Sequence, residues 1–185
     1  HKDSNIPVWN YSVNGDIYSV AISEDGEYIV AGGAGGYVYL FDKDSSTPLW
    51  SYCFPECSST TVFSVAISAD GNYITVGTGD SKVHLFHRDS STAIWSASLS
   101  GSGATFVDIS ADGTYITAGS YGKHIYLWEK SSSTSIWSYD SSYKIQDIAI
   151  SADGEYIIAG TGSDGYKVIL FNKDSSTPLW TYSPG

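Results

Sequence analysis

The sequence predicts an all-β protein, because three short patterns recur along its 185 residues at nearly constant spacing. The first pattern is an Asp-Gly pair between two segments of alternating apolar residues, as in Ile67–Gly77. Such a pair is a strong hairpin signal, because glycine accepts the positive φ that a tight turn requires. The pattern occurs four times, with turn residues Asp25 and Gly26, Asp70 and Gly71, Asp112 and Gly113, and Asp153 and Gly154.

The second pattern is a tryptophan after a turn rich in Ser and Thr, and the third is an apolar run before that turn, such as Tyr37–Phe41. Successive tryptophans stand 41, 45, 42 and 43 residues apart. A repeat of about 40–45 residues that is built from strands alone is typical of β-propeller blades. We therefore predict a β-propeller of about four four-stranded antiparallel blades. The tryptophan series is Trp9, Trp50, Trp95, Trp137 and Trp180.

Residue types also predict the order of the strands within a blade. The tryptophan strand carries a proline in three of its copies, at Pro7, Pro48 and Pro178. Proline cannot donate a ladder hydrogen bond, so we place this strand at the outer edge. The first strand of each blade carries small residues such as Ser19 and Ala66, so we place it innermost. The tryptophans are then expected to pack between blades as structural residues.

We predict a single propeller over residues 1–185, with blades at about 12–52, 53–97, 98–139 and 140–182. Residues 1–11 match the outer strand of a preceding blade, so the chain has one outer strand too many. Three interpretations are open: a piece of a longer array, association with a second copy, or a four-bladed monomer with a displaced terminal strand. We favour an incomplete array, completed into a larger ring by a second copy or by further blades, because uncovered blades expose apolar faces.

The repeats resemble those of the PQQ-like (quinoprotein-type) and WD40 propeller families over nearly the whole chain. Tyr37–Asp44 followed by Pro48–Tyr52 resembles the PQQ-like unit, whose outer strand has a similarly placed tryptophan. Ser19–Gly26 resembles a WD40 inner strand, and Asp80 matches the structural aspartate of the WD40 turn in one blade. The resemblance implies the fold. The adjacent cysteine pair of quinoproteins is missing, and we expect no cofactor.

Charge and composition narrow the classes of partner. The formal net charge of −11 argues against nucleic acid, whose binders normally present a basic face. No apolar run approaches the length of a membrane span, so we expect no membrane insertion. The acidic, Ser/Thr-rich composition favours an extracellular or cell-surface location. Cys53 and Cys57 form either a small disulfide or two free thiols.

Two carboxylates are the candidates for a site in the axial channel. Asp108 and Asp147 lie on predicted inner strands of adjacent blades, at the places of Ala21 and Ser19 in the first blade. Carboxylates that approach each other perturb each other's pKa and can bind ions or transfer protons. The alternative is that each is hydrated or accepts a backbone N–H hydrogen bond.

The predicted function is a non-enzymatic binding or scaffold module that recognises protein or glycan through loops at one rim. The loops at Cys53–Thr61, Leu99–Ala104 and Ser163–Tyr166 differ while the framework stays constant, which is typical of binding loops. The alternatives are a fragment of a quinoprotein-like oxidoreductase or other propeller enzyme, whose site needs further blades, and a structural surface-layer repeat. We predict no catalytic residue and no metal site, because these histidines do not converge: His84, His87 and His124.

Overall fold

The computed structural model describes residues 5–13, 15–54, 60–162 and 165–183. Its elements are β-strands, apart from a short 3-10 turn at Ala34–Gly36. No helix in these ranges is long and apolar enough to cross a membrane. The strands are β1 (Ile17–Ile22), β2 (Tyr28–Gly33), β3 (Tyr37–Asp42), β4 (Trp50–Cys53), β5 (Val62–Ile67), β6 (Tyr73–Thr78), β7 (Lys82–His87), β8 (Ala93–Ser98), β9 (Thr105–Ile109), β10 (Tyr115–Ser120), β11 (His124–Glu129), β12 (Trp137–Asp140), β13 (Ile145–Ile150), β14 (Tyr156–Thr161), β15 (Val168–Asn172) and β16 (Trp180–Tyr182).

These strands form four antiparallel sheets of four strands, and each sheet is built from consecutive strands. The orders are β1-β2-β3-β4, β5-β6-β7-β8, β9-β10-β11-β12 and β13-β14-β15-β16. The all-β fold and the four-bladed antiparallel architecture predicted from the sequence are confirmed. The innermost strands β1, β5, β9 and β13 contact one another in this series, so the blades are arranged about a common inner edge.

The Asp-Gly turns close the hairpin between the first two strands of every blade. In the first blade, the Ser23 hydroxyl donates to Asp25 at 2.6 Å, and the same carboxylate accepts from the Glu27 amide at 3.0 Å. Gly26 has a φ of 74°, a left-handed conformation that favours glycine. The same serine–aspartate bond recurs at Ser68, Ser110 and Ser151, so the turn is a rule of the repeat.

Each boundary between consecutive blades holds one hydrophobic cluster. We call the side of a blade that meets the next blade its forward face, and the opposite side its backward face. At the first boundary, Val30 and Leu40 of the forward face pack with Val65, Ile74 and Phe86 of the next backward face. Two similar clusters fill the second and third boundaries. Stability therefore comes from contacts between neighbours along the chain.

No blade covers either terminal face of the array. Val20, on the backward face of the first blade, is 67% exposed, whereas its equivalents Val65, Val107 and Ile148 are each 5% exposed. A Cβ atom at Gly160, on the forward face of the fourth blade, would meet nothing within 4 Å. These two faces are therefore not packed against each other, and the described blades form an open array.

The segment 5–13 contains no β-strand, and its Trp9 and Tyr11 lie against the backward face of the first blade. Trp9 stacks near Phe41 with ring centroids 5.4 Å apart, and its indole N–H donates to the Lys43 carbonyl at 2.6 Å. The indole of Trp50 makes the same bond to the carbonyl of Arg88 in the second blade. Residues 5–13 thus take the place that the outer strand of a preceding blade would occupy.

Candidate functional site

Asp108 is a half-buried carboxylate that joins the third and fourth blades. Its Oδ2 atom accepts a hydrogen bond of 2.9 Å from the backbone amide of Ile150 on β13, and Oδ1 accepts one of 2.9 Å from its neighbour Ile109. Burial raises the pKa of Asp108, the two amide bonds oppose this rise, and the charge of Asp147 adds to it. The structure therefore brings the two candidate carboxylates within electrostatic reach of each other.

Asp147 has a different environment, because it is exposed on the open side of the fourth blade. Its Oδ1 atom accepts a 3.0 Å hydrogen bond from the amide of Ile148 in its own strand. In the parts of the chain that the structure describes, no group of three His, Cys, Asp or Glu side chains is placed to hold a metal ion. Ion binding by Asp108 and Asp147 stays a prediction.

The tryptophans connect consecutive blades. The indole N–H of Trp95 donates to the Lys130 carbonyl at 2.9 Å, and that of Trp137 donates to the Lys173 carbonyl at 2.7 Å. Together with Trp9 and Trp50, four of the five tryptophans of the series make this contact. The fifth, Trp180, lies on the open forward face and is 46% exposed.

The aspartates of the Asp-Gly turns are engaged in their own turns. The Ser23 hydroxyl and the Glu27 amide lower the pKa of Asp25 by hydrogen bonding. Asp153 has a lowered pKa for the same reasons, through Ser151 and Glu155. In Asp70 and Asp112, burial opposes the hydrogen bonds, and the pKa is again lowered. These carboxylates stay ionised and hold the hairpins together.

A buried polar network surrounds His84 in the second blade. Its Nδ1 atom lies 2.7 Å from the Ser96 hydroxyl, and its Nε2 atom lies 3.4 Å from the Thr78 hydroxyl, which donates to Asp80 at 2.5 Å. Burial lowers the pKa of His84 to about 4, so the imidazole is neutral at pH 7. Sequence reasoning missed this network, although the match of Asp80 to the WD40 turn was its signal.

His87 and His124 do not join this network. They occupy opposite ends of their strands, at the last residue of β7 and the first residue of β11. His124 bonds the Gly122 carbonyl at 2.7 Å through Nδ1, and His87 lies 3.6 Å from Asp89. The three histidines are therefore separate.

One rim of the array carries a cluster of aromatic and amphipathic side chains, which we call the rim cluster. At this rim the loops between blades meet the loops between the second and third strands. Phe106 and Tyr121 lie 5.8 Å apart, and the Tyr121 hydroxyl donates to Gln146 at 3.2 Å. Lys144 lies 5.5 Å above the Tyr121 ring, and Tyr143 is covered by Lys167 at 4.6 Å. The rim cluster is Phe106, Tyr121, Tyr143, Lys144, Gln146 and Lys167.

Of the loops that the sequence singled out, Leu99–Ala104 belongs to this same rim. Leu99–Ala104 is described throughout, and its Ser100 amide donates to the Tyr126 hydroxyl at 3.0 Å. Residues 55–59 and 163–164 lie outside the described residues, and with them Cys57. Cys53 is the last residue of β4. Because Cys57 lies outside the described residues, the disulfide between Cys53 and Cys57 stays a prediction.

Comparisons with known proteins agree with this architecture. A family model described as outer membrane protein assembly factor BamB matches residues 1–111 and, separately, residues 80–185. A chain in the solved structure titled "Crystal Structure of Mitotic Checkpoint Complex" superposes with a TM-score of 0.78 and 16% identity. The match covers 90% of this chain and 52% of that one, so our chain spans about half the length of its structural relative. No curated protein matches the sequence.

Proposed function

Because the chain belongs to the family described as outer membrane protein assembly factor BamB, we propose that it is a non-enzymatic binding or scaffold module. The rim cluster is its recognition surface, and the partner is a protein. Two similarities support a protein partner over a glycan: the matching family is described as an assembly factor, and the similar structure is that of a protein complex.

The rim cluster is the observation that carries this proposal. Aromatic rings present large rigid contact surfaces at low entropic cost, and cations beside them add polar recognition. Here Phe106 and Tyr121 stand beside Lys144, while Tyr143 stands beside Lys167. The framework below is held by hydrogen-bonded strands, so these rings are presented on a rigid support.

The test uses a displayed library of random peptides and, in parallel, an array of immobilised glycans. We expect peptide binders whose affinity falls by about tenfold or more in Tyr121→Ala and Tyr143→Ala, since hot-spot aromatics contribute at least this much. The control is Ile136→Ala, an exposed apolar residue just before β12. Binding of glycans alone contradicts the protein partner, and binding that is insensitive to both tyrosines contradicts the site.

An enzymatic role is the alternative, and the Asp108–Asp147 pair favours it. A carboxyl with a raised pKa beside a second carboxylate can serve as a general acid. The absorbance spectrum and metal content of the purified chain discriminate the two functions. A bound chromophore or a stoichiometric metal favours the enzyme.

We also propose that the open array is completed into a ring, either by a second copy or by further blades. The exposed Val20 on one terminal face and the uncovered Gly160 on the other support this proposal. Apolar faces of this kind are normally covered in solution.

A further inference from the structure

Each internal boundary is built from the same set of contacts, and each contact has a fixed direction. The backbone amide of a residue in one Asp-Gly turn donates to the turn of the next blade. These bonds run from Glu24 to Ala69 at 3.0 Å, from Ala69 to Ala111 at 2.9 Å, and from Ala111 to Ala152 at 3.0 Å. The forward face thus supplies the N–H group and the backward face supplies the oxygen.

The tryptophan bond has the same direction, because the indole belongs to the forward face and the carbonyl to the next backward face. The close packing at glycines also recurs across each boundary. The ring of Tyr73 covers Gly113 of the next blade so closely that a Cβ there would lie 2.6 Å from Cδ2. A Cβ at Gly77 would lie 3.1 Å from Cγ1 of Val107.

The forward face of the fourth blade presents every one of these groups without its counterpart. In the described chain the amide of Ala152 donates no hydrogen bond. Tyr156, the equivalent of Tyr73, is 49% exposed, and Gly160, the equivalent of Gly77, is uncovered. The indole of Trp180 lies on the same face and is partly exposed.

The backward face of the first blade presents the matching counterparts. A Cβ at Gly26, the equivalent of Gly113, would meet only the tip of Ile22 at 4.0 Å. Val20 is exposed where its equivalents are buried. The Lys43 carbonyl is the equivalent acceptor, and it is already taken by the indole of Trp9.

We propose that a second copy of this chain docks head to tail on these faces, with Trp180 of one copy replacing Trp9 on the Lys43 carbonyl of the other. This inference rests on the ring completion proposed above and names its occupant and its mechanism. Residues 5–13 are then a displaceable cap that shields the backward face in the monomer.

We expect the cap to be displaced and β16 to stay in place, because β16 is part of a sheet and the cap is not. β16 is hydrogen-bonded to β15 through the pairs Val168–Tyr182, Ile169–Thr181 and Leu170–Trp180. Residues 5–13 form no β-strand. Their attachment includes the Trp9 indole bond, the tilted contact of Trp9 with Phe41 and the edge-on contact of Tyr11 with the same ring.

A contact between two different faces closes into a ring when the rotation allows it. Two copies make two identical joints, and both terminal faces of both copies become buried. The turn amide bond and the indole bond expected in the new joint each already exist three times within one chain. The expected product is therefore a closed dimer.

The first experiment is light scattering with size-exclusion chromatography over a range of concentrations, on the full chain. We expect a dimer at high concentration that dissociates on dilution. Val20→Asp should abolish it, because a second carboxylate would be buried beside Asp147 of the other copy. Ile136→Asp, at a residue that is 50% exposed away from both terminal faces, should leave it intact. A monomer at every concentration, an open-ended series of larger species, or a dimer that survives Val20→Asp overturns the inference.

The second experiment separates the cap exchange from dimerisation. Trp9→Ala should lower the dimer dissociation constant by about tenfold, because the cap no longer competes, and Trp180→Ala should raise it by about tenfold. Near-ultraviolet circular dichroism confirms that each variant remains folded. The opposite pair of effects overturns the cap exchange while ring completion by a second copy stands. Binding at the rim cluster is measured separately, so its failure is distinguishable from both.

Discussion

The indole nitrogen of Trp95 lies 2.9 Å from the carbonyl oxygen of Lys130 in the next blade. The ring of Trp95 also lies 6.1 Å from that of Trp128. A single side chain thus contributes both apolar contact and a directed hydrogen bond to one blade boundary. Each tryptophan of the series that makes this bond stabilises one boundary between blades. Its contribution to the free energy of unfolding can be measured by substituting one tryptophan at a time.

Trp95→Phe should destabilise the folded chain by about 1–2 kcal/mol, because the Lys130 carbonyl loses its partner while most of the ring contact is kept. Urea unfolding at a concentration where the chain is monomeric measures the change. Trp180→Phe is the matched control, because Trp180 has no following blade, and it should change stability by less than about 0.5 kcal/mol. Equal losses of stability in both variants would contradict a stabilising role for the indole hydrogen bond between blades.

Gly113→Ala should be more destabilising than Gly26→Ala, although both glycines sit at the same place of the turn. The φ values are 69° and 74°, so the backbone strain is similar, roughly 1 kcal/mol. A methyl group at Gly113 would also meet the Tyr73 ring at 2.6 Å, whereas Gly26 has open space. Thermal unfolding of the two variants compares them, and similar losses would show that the tyrosine ring moves aside freely.

Asp108→Ala should cost about 1–3 kcal/mol, because it leaves the amide of Ile150 without its acceptor between two blades. Asp147→Ala is the control, since that carboxylate is exposed and, among the described residues, accepts a hydrogen bond from its own strand alone. The change should be below about 1 kcal/mol there. Denaturant unfolding tests both, and the reverse order would exclude a bridging role for Asp108.

The ion-binding prediction for this pair needs a different measurement. If Asp108 and Asp147 hold a cation, Ca²⁺ should raise the melting temperature of the native chain, since a ligand that binds only the folded state stabilises it. The double variant Asp108→Asn with Asp147→Asn should lose that rise. A rise of unchanged size in the double variant removes the ion role.

Acidification should destabilise the second blade through His84. Burial lowers its pKa to about 4 in the folded chain, whereas an unfolded histidine titrates near pH 6.5. Above pH 6.5 both states are neutral. Between pH 6.5 and pH 4 the unfolded chain binds the proton and the folded chain does not. The free energy of unfolding therefore decreases as the pH decreases, by roughly 3 kcal/mol at most.

His84→Tyr is the variant that isolates this effect, because tyrosine occupies the equivalent place at Tyr39 and Tyr126. We expect its free energy of unfolding to vary less between pH 6.5 and pH 4 than that of the native chain. Unfolding by urea at a series of pH values provides the comparison. Parallel pH profiles for the two proteins would show that another group causes the loss of stability between pH 6.5 and pH 4.

The sequence predicts much of this fold because its strongest signals are local. Asp70 and Gly71 define a turn through neighbours in the chain, and Ser68 completes it two residues away from Asp70. The recurrence of Trp50 and its equivalents then sets the length of the unit. These features need no knowledge of how distant strands pair.

The candidate site was less predictable, because its contacts join residues far apart in the chain. The amide that Asp108 binds comes from Ile150, 42 residues later. Ser96 meets His84 only when the register of β7 and β8 is known. The rim cluster is likewise assembled from four separate segments, so Tyr121 and Gln146 give no common signal in the sequence.

The line of amide bonds from Glu24 through Ala69 and Ala111 to Ala152 has an evolutionary consequence. Each link uses main-chain atoms, so it survives almost any change of side chain at those positions. A gene for such a protein can gain or lose a whole unit by duplication or deletion and still make every remaining joint correctly. Blade number is then free to change in single steps, and selection acts on the size of the finished ring.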